Sequence, residues 1–261
     1  MCSATVTHLQ MTLLRQVIMD DQLPLFVLPM VLFPGELQEL RVFEPRYRQM
    51  LDTCILDERP FGLVNNDPFN PVNGWDGPRT HGCEAIIVEH ETRGMNHFIT
   101  IQGGRRFTVE EVIEPALPPF TDPTMEVFVT EDGAMADVEE LVNHIGPDHD
   151  NHRLYISAKV AYMHETEQPL SEHQDERLRH IVQDVLQRVG EGMNIDGEVL
   201  TGWVDDFCNE HITGLPSSIY HVASLLLNTN ESRQQVLSST TPEEALTELE
   251  LHMGPVILQE E

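Results

Sequence analysis

Lysine is almost absent: Lys159 is the only one in 261 residues. With arginine counted, 15 basic residues stand against 44 acidic ones, a formal charge of −29. Such a surface repels nucleic acid and anionic membranes, so neither is expected as a partner. No stretch approaches the roughly 20 apolar residues that cross a bilayer. The N-terminus lacks the basic start and unbroken apolar core of a signal peptide, so the expected location is cytoplasmic. Cysteine is scarce as well. Cys2, Cys54, Cys83 and Cys208 are far apart and form no C-x-x-C pair, which argues against a disulfide framework. Cys54 and Cys83 sit in apolar patterns and read as small core residues. The acid excess has two open readings, adaptation to a salt-rich cytoplasm that screens self-repulsion, or solubility alone.

What is present is concentrated between Leu23 and Leu56. An apolar run interrupted by Pro29 closes at Pro34-Gly35, a short alternating segment follows from Leu37, and Phe43-Glu44-Pro45-Arg46-Tyr47-Arg48 opens a helical pattern. Pro45 suits the first helical position, where its missing N–H would be unpaired anyway. Tyr47, Met50, Leu51, Cys54 and Ile55 then recur on one face. The physical reading is strand, tight turn, strand, helix start.

Residues 1–22 read as an N-terminal extension, with Met19 the expected start. From 23 to 131 the pattern is mostly strand: Phe61–Val64, Glu84–Glu91, a second strand around Phe98–Gln102, a third from Phe107 to Pro115 and a last one over Met125–Thr130. Asn66–Thr80, rich in Asn, Asp, Pro and Gly, reads as a loop, and Gly103-Gly104 as a turn or bulge. Closely spaced strands predict a small antiparallel barrel. From 132 to 261 the period becomes helical, with helices expected over Asp137–Ile145, Leu154–Met163, Ser171–Val189, Leu200–Ile212, Pro216–Leu227 and from the capping box Thr241-Pro242-Glu243-Glu244 to His252. The expected class is α+β, an antiparallel barrel followed by a helical bundle.

The blocks LPLF-x-LP-x-VLFPG, FEPRYRQM, FG-x-V, G-C-E-A-x-I-V-E and GGRRF, in that order, resemble the N-terminal substrate-binding domain of the Lon protease family. A more distant similarity is to the N-terminal region of cereblon. The resemblance implies a PUA-like barrel over 23–131 and a helical subdomain after it. It marks Pro34, Gly35, Phe43, Glu44, Pro45, Arg46 and Tyr47 as structural signature residues. It implies a non-catalytic module with protein or peptide clients, working as an adaptor or regulator of protein turnover beside a separate ATP-dependent protease. Glu39 and Arg41 depart from the proline and histidine common in that family before the Phe-Glu-Pro block. The chain holds no G-x-x-x-x-G-K-[ST] loop for phosphates. Trp75 to Gly82 echoes the Lon nucleophile motif with Arg79 where the serine would stand, and Lys159 has no serine partner in sequence. A stand-alone recognition domain is the resulting expectation.

Site expectations follow. Phe69 and Trp75, in the expected loop, with Arg79 and Arg105, are the candidate client-binding residues; Met30 and Phe33 read as core. Arg46 and Arg106 read as structural, Arg46 by pairing a carboxylate while its stem covers the barrel. No catalytic residue, cofactor or metal is expected. The competing readings are a residual hydrolase built on the Asn66–Thr80 loop with His81, a metal site at His144, His149 and His152 or at His81 and Cys83, and a small-ligand module in the groove between barrel and bundle.

Overall fold

The computed structural model describes residues 22–253 apart from 130–134, 148 and 150. The expected extension over 1–21 and the Met19 start lie outside the described residues. Six strands, β1 (Leu23–Leu28), β2 (Leu37–Val42), β3 (Phe61–Val72), β4 (Trp75–Arg93), β5 (Asn96–Ile113) and β6 (Ser157–Tyr162), form one sheet in the order β2-β5-β4-β3-β1-β6. A further β5–β6 pairing closes five of them into a ring and leaves β2 as an added strand on β5. The ring is not a clean antiparallel barrel, because β1 runs parallel to β3, with Leu25 opposite Gly62 and Val27 opposite Val64. β1 can tolerate that position because its LPLFVL sequence is apolar on both faces, as a doubly covered strand requires.

Side chains alternate between the two faces of the sheet. Leu25, Val27, Val64, Phe107 and Ala158 converge inside the ring. The space there is tight: a Cβ on Gly82 would meet Phe107 at 2.7 Å. Phe26, Phe61, Leu63, Ala85, Ile99 and Ile101 face the other way, into one continuous core with the helices. Helix α1 (Pro45–Leu56) covers that face with Tyr47, Met50, Leu51 and Cys54, and its Pro45 holds the expected first position. Burying each of those larger side chains stabilises the fold by about 1.5–3 kcal/mol before entropy is counted.

Three expectations give way here. Asn66–Thr80 is no loop but a hairpin, β3 turning into β4 at Asn73-Gly74, both with positive φ (45° and 81°). Pro68 and Pro71 fall where the ladder loses its register between Asp67 and Val72, and Pro78 stands in the ladder opposite Asn66. Leu154–Met163 is not helical. It supplies β6, which pairs with the exposed edges of both β1 and β5, and closing those edges outweighs the local helical preference. The expected strand over Met125–Thr130, of which Thr130 lies outside the described residues, is not found over Met125–Phe128. Asp122 caps the N–H of Thr124 at 2.9 Å, and a 3-10 turn over Pro123–Phe128 sets Met125 and Phe128 against Leu141 and Leu154. Gly103-Gly104 lies within β5, where the register slips between Cys83 and Ala85, a bulge rather than a turn.

Helix α2 (Val138–Ile145) precedes β6, and the bundle follows: α3 (Glu172–Gly192), α4 (Gly197–His211), α5 (Ser217–Leu226), α6 (Asn230–Ser238) and α7 (Pro242–Met253). Ser171 and Gln174 form the capping box that starts α3. Helix α6 had no sequence expectation, yet it fastens the bundle to the sheet. Its Arg233 donates to the Val31 carbonyl at 2.9 Å and to Glu36 at 2.5 Å, below the Pro34-Gly35 turn, and its Gln234 donates to the His81 carbonyl at 3.1 Å.

Candidate functional site

The basic residues divide into those the fold consumes and those it leaves at the surface. Arg106 is 2% exposed and makes four hydrogen bonds: Nε and Nη2 to Glu165, and Nη1 to the carbonyls of Leu237 and Ser239. It lies over the Tyr220 ring. This is the structural role expected of it. A cavity of about 270 Å³ occupies the groove between ring and bundle, with Arg106, Glu165 and Tyr220 in its wall. The four bonds already direct Arg106 to protein groups. Arg46 pairs with Glu44 at 2.8 Å and stacks between Tyr47 and Trp75.

That stacking places Trp75 within the fold's framework. Its Nε1 donates to the Leu117 carbonyl at 3.0 Å, fixing the hairpin against the proline-rich connector. Arg79 is paired with Glu231 of α6 at 2.9 Å. Phe69 is the opposite case, 91% exposed at the hairpin tip, where Asp67 accepts its N–H and holds the turn. Arg105 lies apart from these three on β5. Its guanidinium bridges to Glu84 and covers the Tyr162 ring, while Tyr162 Oη donates to Glu84 at 2.8 Å. Burial alone would raise the Glu84 carboxyl, but its bonds to Arg105 and Tyr162 outweigh that and hold it below the usual range. Burial, with the same carboxylate as acceptor, pushes the Tyr162 phenol up to about 12. The sequence-predicted residues are therefore not brought together in one place.

A surface that sequence reasoning missed lies just past the Glu84–Arg105–Tyr162 network. The face that fills the ring continues along β4 and β5 beyond the end of β6, and there it meets solvent. Register puts Leu37, Gln102 and Ile86 in one row across β2, β5 and β4, Glu39, Thr100 and Glu89 in the next, and Arg41, Phe98 and Glu91 in the third. Val88 sits at the β4 bulge between the first two rows. Leu37, Ile86 and Val88 are 63%, 43% and 46% exposed, an apolar end to a concave groove of about 610 Å³ lined by Glu39, Arg41, Glu89, Phe98 and Thr100. The signal in sequence was the doubled apolar run Ala85-Ile86-Ile87-Val88, in which both parities are apolar although, among the described residues, Ile86 and Val88 stay exposed.

The groups proposed for other chemistries are occupied differently. His152 Nε2 bonds the Gly146 carbonyl at 2.8 Å, His149 Nδ1 bonds the Asn151 carbonyl at 2.5 Å, and His144 packs edge-on against Phe128. Asp148 and Asp150 lie outside the described residues. Among the described residues no group of three or more His, Cys, Asp or Glu side chains is placed to hold a metal ion. Burial pushes the Cys83 thiol well up and the Cys54 thiol up to about 12, so both stay protonated at neutral pH. Burial also lowers His81, with Arg106 adding to it. No helix among the described residues is long and apolar enough to cross a membrane.

The family model of the ATP-dependent protease La (LON) substrate-binding domain matches residues 22–253. The chain belongs to the Lon substrate-binding domain family. Its fold agrees. A crystal structure of a Lon N-terminal domain protein from Xanthomonas campestris superposes with a TM-score of 0.51 at 19% identity, covering 87% of this chain and 96% of that one. The N-terminal domain of the Mycobacterium avium complex Lon protease gives 0.56 at 13% identity, covering 90% of this chain and all of that one, 100%. No match is found among curated proteins. A Lon substrate-binding domain is a recognition unit, and its clients are proteins or peptides.

Proposed function

We propose that this Lon-type domain is a non-catalytic module that recognises unfolded polypeptide segments on the open face of β2–β5–β4, and that it serves as an adaptor or regulator for a separate protease in the cytoplasm. The carrying observation is the row of Leu37 and Ile86 across Gln102, exposed with Val88 of the β4 bulge beside the Glu39–Glu89 groove. A single exposed apolar residue such as Phe69 is ordinary, whereas Leu37 on β2 and Ile86 and Val88 on β4, flanking Gln102 of β5, gather exposed apolar surface in one region of the sheet. Arg105 borders the patch, and Phe69 at the hairpin tip is a secondary contact. Trp75 and Arg79 support the hairpin that carries it. Recognition of this kind needs surface complementarity and forms no covalent bond.

The test is binding of a reduced, carboxymethylated and permanently unfolded client to the wild type and to the Leu37→Ser/Ile86→Ser/Val88→Ser triple variant. The variant should bind about tenfold more weakly, the equivalent of about 1.4 kcal/mol, with an unchanged melting temperature. Equal binding would remove the patch from the account. Client cleavage by the purified chain, lost on His81→Ala, would replace the recognition reading with the hydrolase one.

A further inference from the structure

Strand β2 ends the sheet, and the hydrogen-bond pattern on its neighbour identifies which of its groups are unpaired. The N–H of Gly103 donates to the Glu36 carbonyl at 2.9 Å, so that carbonyl faces β5, while the Glu36 N–H turns back to the Phe33 carbonyl at 3.1 Å. Glu36 and Gly103 stand one step before the Leu37–Gln102 pair. Antiparallel ladders alternate, so Gln38, Leu40 and Val42 bond to β5, while the N–H and C=O groups of Leu37, Glu39 and Arg41 point to the free edge. Among the described residues no strand pairs there. One of these groups has a local substitute: Gln38 Nε2 donates to the Glu39 carbonyl at 2.9 Å.

Building on the proposed function, we infer that a client binds as an added strand on this edge, an extended segment alternating apolar and basic residues. The alternation follows from what each face presents. Toward the core, Leu40 is partly buried against the main cluster and asks for an apolar neighbour. On the open face, Glu39 and Glu89 flank Thr100 in one row. The other charges nearby are engaged, Arg41 by Asn96 and Glu91 by Arg93. A lysine or arginine opposite Glu39 completes a cross-strand pair of opposite charge. A second copy of this chain fits the edge less well. Two copies of a chain that carries a formal charge of −29 repel one another.

The probe is a labelled peptide of about six residues alternating valine and lysine, with a valine–glutamate peptide as its counterpart. Binding of the first should exceed that of the second about tenfold, and Glu39→Lys should reverse the order. Glu39→Pro removes an N–H that faces the free edge and leaves the β2–β5 ladder intact, so it should abolish peptide binding while circular dichroism and melting stay as in the wild type. Hydrogen exchange adds a readout independent of folding: the peptide should protect the amides of Leu37, Glu39 and Arg41. If the peptide fails to bind, or binds without protecting those amides, the added-strand inference is overturned. If Glu39→Pro binds an unfolded client normally while the Leu37/Ile86/Val88 variant does not, the inference fails and the proposed function stands. A dimer of the free chain that Glu39→Pro dissociates would assign the edge to self-association and overturn the peptide reading.

Discussion

At the scale of single residues, the arginines are sorted by burial. Arg106 satisfies two carbonyls at the end of α6 and a carboxylate of the segment entering α3, so removing it leaves buried acceptors unpaired. Arg106→Ala should cost on the order of 3 kcal/mol, measured by urea unfolding, and Arg106→Lys should recover little of it because an ammonium cannot reproduce the fork. That Arg46 and Arg106 are tied into the fold was legible from their place in the family's sequence blocks. That of Trp75 was not, because its acceptor on Leu117 and its arginine partner are distant in sequence. Two histidines contribute to the pH dependence of stability near neutrality. His81 is lowered by burial and then by Arg106; His221 is lowered by burial and then by His211, whose Nδ1 lies 2.8 Å from its Nε2. Each imidazole binds a proton less readily folded than unfolded, so the stability they contribute is present above the unfolded value near about 6.5 and is lost as the pH falls below it. Melting temperatures across that range should drop on acidification. Replacing both with glutamine should flatten the drop.

At the scale of elements, what could be read was periodic and what could not was relational. Helices α3 and α7 announce themselves by caps, and α3 and α5 by apolar stripes. Helix α6 carries few apolar residues and is held by Arg233 and Gln234 through contacts that no local pattern encodes. Asn73-Gly74 is a hairpin dipeptide, but the richness of its surroundings in Asn, Asp, Pro and Gly made the whole of Asn66–Thr80 read as a loop. β6 reads as helical in isolation and becomes a strand because β1 and β5 offer it two edges. Gly103 is the glycine whose necessity is clearest: a Cβ there would lie 1.9 Å from the Phe33 carbonyl oxygen, where the Pro34-Gly35 turn crosses β5. Gly103→Ala should therefore destabilise by about 2–3 kcal/mol in chemical denaturation. Gly94→Ala is the contrast, since its Cβ would meet nothing within 4 Å and only its φ of 60° opposes the change.

At the scale of the molecule, the charge of −29 bears on folding and on recognition alike. Self-repulsion is screened as the Debye length falls from about 10 Å at 0.1 M salt to about 3 Å at 1 M. The melting temperature should rise with potassium chloride across that range if the surface is adapted to salt; a flat or falling curve would leave solubility as its role. The family and the α+β class were legible because the signature from Leu23 to Tyr47 encodes turns and core positions. The recognition face was not, because it depends on which of two apolar parities in Ile86-Ile87-Val88 the helices leave uncovered. That assignment is the central claim, and hydrogen-exchange mass spectrometry with an unfolded client tests it most directly. Protection should appear in β2 and in the facing stretches 86–89 and 98–102. Protection confined to the Phe69 hairpin or to the helical bundle would contradict it.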